Sequence, residues 1–165
     1  MQVVVAGTAG EFRVFRDLAT EYEASLPPHL RHAEFETERA RVSEVYAPPD
    51  AALLAYLGDG ACGCVALKRH DSKTAVVKKL YVKPEARGRG AARALMESLI
   101  ALAGERGFGR LVLDTERDAL AAAYQLYVSL GFAECAPVYD VTYPSPTFME
   151  LQRNEEMRVP SAPEV

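Results

Sequence analysis

Apolar residues recur along the first fifty positions with two different spacings. Residues 2–6, QVVVA, form a short apolar run typical of a strand, and residues 10–24 carry apolar side chains at helical spacing. The Pro27-Pro28 pair interrupts the chain, a second helical pattern covers 35–45, and Pro48-Pro49 ends it. This part of the sequence predicts a strand followed by two helices.

The middle of the chain changes to short apolar runs that are typical of strands. Residues 51–57 and 61–68 flank the turn sequence Gly58-Asp59-Gly60, which is a strong hairpin pattern, and residues 74–82 supply a third run. An antiparallel meander of three strands is therefore predicted here.

Helical and extended patterns alternate again after Pro84. They predict a helix over 91–105, a strand over 110–115, a helix over 119–130 capped by Asp118, a strand opening at Phe132 and a last strand over 146–152. The succession of strand, crossover helix and strand between 76 and 115 requires one parallel pair within an otherwise antiparallel sheet. A mixed α+β fold is expected, with one domain over 1–153 and a flexible tail over 154–165, where Pro, Glu and Ser are frequent.

Composition narrows the classes of function. The chain has 165 residues and a net charge of −4, which argues against a general nucleic-acid-binding protein, and no apolar run reaches the length of a membrane span. Three cysteines, an odd number, and the absence of an apolar leader at the start predict a cytoplasmic protein. Cys62 and Cys64 are expected on one strand face as core residues, and no metal site is expected, because no second Cys/His pair has ligand spacing. The three histidines, His29, His32 and His70, are interpreted as surface residues.

One stretch does not fit a purely structural role. Residues 87–93 read RGRGAAR, with two glycines at the mouth of a helix, where glycine costs roughly 1 kcal/mol relative to alanine. The stretch follows a strand and opens a crossover helix, which is a favourable place for an anion. Six Lys and Arg residues against one Glu lie between 78 and 93, although the whole chain is acidic. A solvated helix start is the structural alternative to a phosphate-binding loop.

These residues resemble the GNAT superfamily of N-acetyltransferases. The stretch LYVKPEARGRGAARALMESLI is similar to the acetyl-CoA segment of that superfamily, since R-G-R-G-A-A has the form [QR]-x-x-G-x-[GA]. The later AAAYQLYVSLGF is similar to its helix ending in Y-x-x-x-G-F, and the order of elements matches from about residue 2 to residue 152. The resemblance implies a mixed, mostly antiparallel sheet of about seven strands, splayed between strands 4 and 5 and flanked by about four helices.

The resemblance also implies the roles of particular residues. Acetyl-CoA would be the co-substrate, with no metal. Main-chain N–H groups would hold its pyrophosphate, from Arg87, Gly88, Arg89, Gly90, Ala91 and Ala92. Leu80, Tyr81 and Val82 would pair with the pantetheine arm, and an N–H near Val82 would polarise the thioester oxygen. Tyr127 would be the general acid, although a core position is its structural alternative.

Two positions depart from the family pattern. Leu120 stands where relatives often have an asparagine that contacts pantetheine, and Val76 and Val77 stand where many have a glutamate that acts as general base. The base is therefore unassigned. Glu36, Glu38 and Glu116 are candidates because their segments usually border the acceptor cleft, and a water chain is an alternative.

The functional hypothesis is an acetyl-CoA-dependent N-acetyltransferase acting by direct attack of a small-molecule primary amine. Its alternatives are a transferase for a peptide or protein amine and a non-catalytic acyl-CoA-binding regulatory module, which the missing glutamate keeps open. Tyr81 and Tyr139 are interpreted either as walls of the site or as core residues. A homodimer is expected from the apolar edge that such sheets leave exposed, with no nucleic-acid or membrane partner.

Overall fold

The computed structural model describes residues 1–153 and contains one seven-stranded sheet. The strands are β1 (Gln2–Val5), β2 (Ala51–Leu57), β3 (Gly60–Arg69), β4 (Thr74–Val82), β5 (Arg110–Thr115), β6 (Ala133–Cys135) and β7 (Thr147–Gln152). Their order across the sheet is β1-β2-β3-β4-β5-β7-β6. Every neighbouring pair is antiparallel except β4 and β5, as the sequence predicts. The predicted tail over 154–165 lies outside the described residues.

Helices cover both faces of the sheet. They are α1 (Ala9–Ser25), α2 (Phe35–Arg39), α3 (Val42–Val45), α4 (Ala91–Glu105) and α5 (Ala121–Ser129), and short 3-10 turns lie at Pro28–Leu30 and Pro84–Ala86. Five helices within residues 1–153 thus replace the four expected. One core packs α1, with Phe15 and Leu18, against the sheet, and a second packs α4, with Leu95 and Leu99, against the opposite face.

The parallel pair separates after three residues. Thr74, Ala75 and Val76 of β4 pair with Arg110, Leu111 and Val112 of β5, and the described pairing ends there, although β4 continues to Val82. The predicted splay between strands 4 and 5 is confirmed. This separation opens the middle of the sheet and positions the site described below.

Two predicted helices have different boundaries in the structure. The pattern over 35–45 forms two short helices, because Arg41 has φ −135° and ψ 33° and leaves the helical conformation. No glycine or proline marks this break, so packing of the two turns beside α1 overrides local propensity. Likewise α5 begins at Ala121 rather than Ala119. Its N-cap residue is Leu120, and the Asp118 side chain caps nothing.

The cysteine prediction is wrong in its geometry. Both thiols are buried, but Cys62 packs in the α4 core and Cys64 in the α1 core. The cause is a bulge in β3: Gly63 pairs with Ala55 and Ala61 with Tyr56, so Cys62 has no partner on β2. An extra residue in a strand shifts the alternation of faces, and the two thiols point to opposite sides of the sheet.

Candidate functional site

The glycine loop leaves the start of α4 open. Gly88 and Gly90 have positive φ, 78° and 84°, and a Cβ atom built on either would meet nothing within 4 Å. Gly90 is the N-cap of α4, and no side chain caps the helix. The first N–H groups of a helix have no partner within the helix, so this end offers donors and a positive dipole to an anion.

Some of the cations predicted to lie near this loop are at its surface, and one, Lys79, is not. Arg89 is exposed, and Arg87 is exposed with its Nε donating to the carbonyl of Val82 at 3.1 Å. Arg93 donates to Ser129 Oγ at 2.6 Å. Lys79 does not contribute to the field of the loop, because it is buried and paired with Glu23 on the other face of the sheet. The excess of positive charge at the loop is thus smaller than the sequence suggests.

The second half of β4 presents one unpaired edge. Tyr81 and Val82 pair with Cys64 and Gly63 of β3, while the described pairing with β5 has already ended at Val76. An extended ligand can bind such an edge as an added strand. The sequence-predicted residues Leu80, Tyr81 and Val82 lie on this segment, between the separation of the strands and the glycine loop.

A bulge in β4 lies next to this edge. Cys64 pairs with Tyr81 but Ala66 pairs with Lys78, so Lys79 and Leu80 together oppose Val65. Lys79 has φ 58°, a left-handed conformation that is uncommon for a residue with a side chain. Bulges re-aim side chains and break the ladder locally, and this one brings both Lys79 and Leu80 to the wall of a cavity.

The cavity, of about 170 Å³, lies where β4 and β5 diverge. Four of its lining residues are tyrosines, namely Tyr22, Tyr127, Tyr139 and Tyr143. Five are acids, namely Glu34, Glu38, Asp114, Glu116 and Asp140, and three are basic, namely His32, Lys78 and Lys79. Leu80 and Tyr127 are the predicted site residues that line it, whereas the glycine loop lies outside it.

Tyr127 occupies both the core and the cavity wall. Its ring packs against Phe132, with 5.8 Å between ring centroids, and the residue is 7% exposed. Burial, and next the charge of Asp114, raise the pKa of the Tyr127 hydroxyl. The phenol therefore remains protonated at neutral pH and can donate a proton into the cavity. The core and catalytic interpretations of this residue are compatible.

Asp114 is held by two tyrosines across the cavity from α1. It follows the buried part of β5, and Tyr139 and Tyr143 donate to its two oxygens, at 2.6 and 2.8 Å. Burial, together with the carboxylate, raises the pKa of both phenols. Both hydroxyls thus stay protonated and fix the Asp114 carboxylate. Thr115 Oγ1, also in the cavity wall, is buried with no hydrogen-bond partner among residues 1–153.

A second polar cluster joins α1, the following loop and β4. Glu23 lies 2.6 Å from His32 Nδ1, accepts from the His32 backbone N–H at 3.0 Å, and accepts from Lys79 Nζ at 3.2 Å. Burial acts to raise the pKa of Glu23, but the His32 hydrogen bonds and the Lys79 charge outweigh it and hold the pKa at about 2. The prediction that His32 is a surface residue is wrong: it is half-buried in this cluster.

Glu23→Gln is expected to destabilise the fold by about 2–3 kcal/mol, because it leaves the Lys79 cation buried without a counter-charge. The double variant Glu23→Gln/Lys79→Met should recover much of that loss, as measured by urea unfolding. In the wild type, the contribution of ionised Glu23 is complete above the ordinary carboxyl pKa and is lost as pH falls toward 2. Equal losses of unfolding free energy in the single and double variants would contradict this account.

Only some of the predicted candidates for a general base line the cavity. Val76 and Val77 are apolar, buried and unable to accept a proton, as the sequence indicates. Glu36 lies outside the cavity, near Arg39. Glu38 and Glu116 line the cavity, but Glu38 accepts from Tyr46 at 3.3 Å and Glu116 lies 2.9 Å from His29 Nε2.

Sequence reasoning found the loop and Tyr127 but missed the two polar clusters. Tyr139 lines the cavity, whereas Tyr81 lies behind it, 6.2 Å from the ring of Tyr22. Within residues 1–153 no three His, Cys, Asp or Glu side chains are grouped to hold a metal. In the same part of the chain no helix has the length and apolar character to cross a membrane.

Known proteins place this fold and site in a class. The sequence profile described as Acetyltransferase (GNAT) family matches residues 13–132. An uncharacterized N-acetyltransferase of Schizosaccharomyces pombe is 31% identical over 144 residues, covering 86% of this chain and 88% of the yeast protein. The N-acetylaspartate synthetase of Danio rerio is 32% identical over 120 residues, 71% of this chain and 42% of the fish protein.

Solved structures agree in fold. The Salmonella typhimurium acetyltransferase yncA, solved with its cofactor acetyl-CoA, superposes with a TM-score of 0.75 at 20% identity, over 95% of this chain and 96% of that one. The fold is thus shared with solved acetyltransferases. The chain belongs to the GNAT family of acetyltransferases.

Proposed function

We propose that this protein transfers the acetyl group of acetyl-CoA to the primary amine of a small molecule, with Tyr127 as general acid. The observation that carries the proposal is the position of the cavity. It meets the open edge of β4 at Leu80, has Tyr127 in its wall, and is lined by carboxylates that attract an ammonium group.

Two segments of the chain suit acetyl-CoA. The main-chain N–H groups from Arg87 to Ala92 suit a pyrophosphate, because two left-handed glycines leave the approach to α4 free of side chains. Leu80, Tyr81 and Val82 suit the pantetheine arm, since their free edge can receive an added strand. The thioester would then lie beside the bulge, at the entrance to the cavity.

The reaction needs an oriented amine, a stabilised oxyanion and a proton donor. The bound ammonium group first loses one proton to water. The neutral amine nitrogen then attacks the thioester carbonyl, forming the C–N bond, the carbonyl electrons move to oxygen, and the surplus proton on nitrogen passes to a general base. Main-chain N–H groups at the bulged end of β4 stabilise that oxygen. As the C–S bond breaks, Tyr127 donates its proton to the departing sulfur, and its raised pKa keeps that proton available until then.

The lining of the cavity selects for a cationic acceptor. Asp114 has its two oxygens oriented by Tyr139 and Tyr143, and tyrosine faces on both sides of the cavity can contact a cation. The name of the Danio rerio relative gives it an acidic product, N-acetylaspartate. Five carboxylates against Lys78, His32 and the paired Lys79 make an anionic acceptor less favourable here. We therefore expect a mono- or diamine whose charge pairs with Asp114.

The test is release of free CoA thiol from acetyl-CoA with a panel of monoamines, diamines, amino acids and a lysine-containing peptide. We expect turnover with aliphatic or aromatic amines and little with acidic amino acids. For the best amine, Asp114→Asn should raise the amine KM roughly tenfold or more while the acetyl-CoA KM stays within about twofold. Activity confined to the peptide would favour the protein-amine alternative, and no thiol release with any amine would favour the regulatory module.

A further inference from the structure

The cavity contains an arrangement that can replace the missing glutamate. Val76 and Val77 are buried and offer no proton acceptor, and of the two only Val77 lines the cavity, so a base must come from another element. His32 lies between the 3-10 turn at Pro28–Leu30 and α2, lines the same cavity as Tyr127, and has a side chain that is 39% exposed. It is therefore accessible to a substrate and also held by the fold.

Glu23 fixes the orientation of the His32 ring. One carboxylate oxygen lies 2.6 Å from His32 Nδ1, and the other accepts from the backbone N–H of the same residue at 3.0 Å. The backbone contact holds the carboxylate in place, and turning the ring over would break its contact with Nδ1. An ionised carboxylate at Nδ1 favours the neutral tautomer with the proton on Nδ1, which leaves the lone pair of Nε2 free to accept a proton. Within residues 1–153, Nε2 has no hydrogen-bond partner.

The positive charge of Lys79 favours the ionised form of the Glu23 carboxylate and neutralises its charge. Its Nζ lies 3.2 Å from the oxygen that contacts Nδ1, and it packs 4.6 Å from the centroid of the Phe35 ring. The other charged residues that line the cavity with His32 are Glu34, Glu38, Lys78, Asp114, Glu116 and Asp140. The five acids among the lining residues favour an ammonium substrate in the cavity.

Base and acid line the same cavity, together with Tyr22, the half-buried residue before Glu23. Burial, and next the charge of Tyr127, raise the pKa of the Tyr22 hydroxyl. A substrate nitrogen in the cavity can reach His32 while the thioester sulfur faces Tyr127.

We propose that His32 Nε2 is the general base of the acetyl transfer and that Glu23 is its positioning residue. The inference rests on the proposed function. As the C–N bond forms, the surplus proton on nitrogen passes to Nε2, and Tyr127 protonates the sulfur as the C–S bond breaks. The products are the N-acetylated amine and CoA thiol. The imidazolium then releases one proton to water and the phenolate takes one from water, which restores both groups.

The kinetic test compares His32→Gln with the wild type, using the best amine of the panel. His32→Gln is expected to lower kcat/KM about 100-fold or more and to leave the acetyl-CoA KM within about twofold. Any limb of the pH–rate profile that depends on His32 should be absent from the variant. Added imidazole should partly restore His32→Ala. His70→Gln is the matched control, because His70 is exposed and lines no part of the cavity.

A second measurement needs no turnover. In ¹⁵N-labelled wild-type protein, long-range ¹H–¹⁵N correlations report the tautomer of each of the three histidines, and His32→Gln assigns the signals of His32. We expect neutral His32 to carry its proton on Nδ1, and Glu23→Gln to weaken that preference. A melting curve for each variant shows that it is folded.

The outcomes separate the two claims. Loss of rate, loss of the pH limb and an Nδ1-protonated ring support His32 as the base. A wild type that turns over while His32→Gln keeps its rate and pH profile overturns the base alone, as does a neutral ring protonated on Nε2. If the wild type releases no thiol with any amine of the panel, the proposed function and the base are overturned together.

Discussion

Gly90→Glu is expected to lower the affinity for acetyl-CoA by at least about 100-fold, close to 3 kcal/mol of binding free energy. The new side chain would start from open space directly at the N-cap of α4, where the pyrophosphate is proposed to bind. Its carboxylate would occupy the anion position and repel a phosphate. Isothermal calorimetry with acetyl-CoA, and the ligand-induced shift in melting temperature, measure the loss.

Gly107→Glu is the matched control for this experiment. Gly107 has φ +84°, the value of Gly90, and a Cβ there also meets nothing within 4 Å. It follows the other end of α4, about 20 Å away by helix length. Both variants therefore carry a similar backbone strain of about 1–2 kcal/mol and the same added charge. Only Gly90→Glu should lose the acetyl-CoA-dependent shift, and equal binding by the two variants would show that the loop does not hold the cofactor.

Tyr127→Phe is expected to lower kcat about 100-fold or more with little change in the KM for acetyl-CoA. Phenylalanine keeps the ring against Phe132 and the cavity wall but cannot protonate the leaving thiolate. The fold should tolerate the change, because no group within residues 1–153 accepts a hydrogen bond from the Tyr127 hydroxyl. Steady-state kinetics with the best amine of the panel gives both constants.

Tyr124→Phe serves as the control for Tyr127→Phe. It removes the same atom one turn earlier on α5, where the ring lies 4.7 Å from the Arg117 guanidinium and outside the cavity. Because burial raises the pKa of Tyr127, the wild-type rate should show no decline up to about pH 10, where an exposed tyrosine would begin to lose its proton. A Tyr127→Phe rate equal to that of Tyr124→Phe would remove Tyr127 from the mechanism.

Most of the fold could be predicted because local patterns and the family resemblance agreed. The hairpin between β2 and β3, the helix over 91–105 and the parallel crossing to β5 were each marked by residues close in sequence. Packing decided what was missed. The break at Arg41 has no glycine or proline to mark it. At the bulge in β3, Gly63 lies between the two cysteines, and an isolated glycine in a strand often marks a bulge, but the alternation of the strand was the stronger pattern.

The candidate site likewise has parts that a local sequence pattern marks and parts that none marks. The glycine loop is a continuous stretch, so its form could be derived from the sequence, and Tyr127 follows from the Y-x-x-x-G-F pattern. The polar clusters join residues far apart in the chain. Glu23 meets Lys79 across 56 positions, and Asp114 meets Tyr143 across 29. Such pairs depend on the complete sheet, and a single sequence offers no local pattern for them.

The separation of β4 from β5 also fixes the routes by which two reactants meet. The glycine loop opens from the face covered by α4, while α1 and α2 border the cavity on the opposite face. Acetyl-CoA and the amine can therefore approach from different faces of the sheet. Both can be bound together, without one having to leave before the other binds. We therefore expect both reactants to bind in one ternary complex, as the proposed direct attack of the amine on the thioester requires.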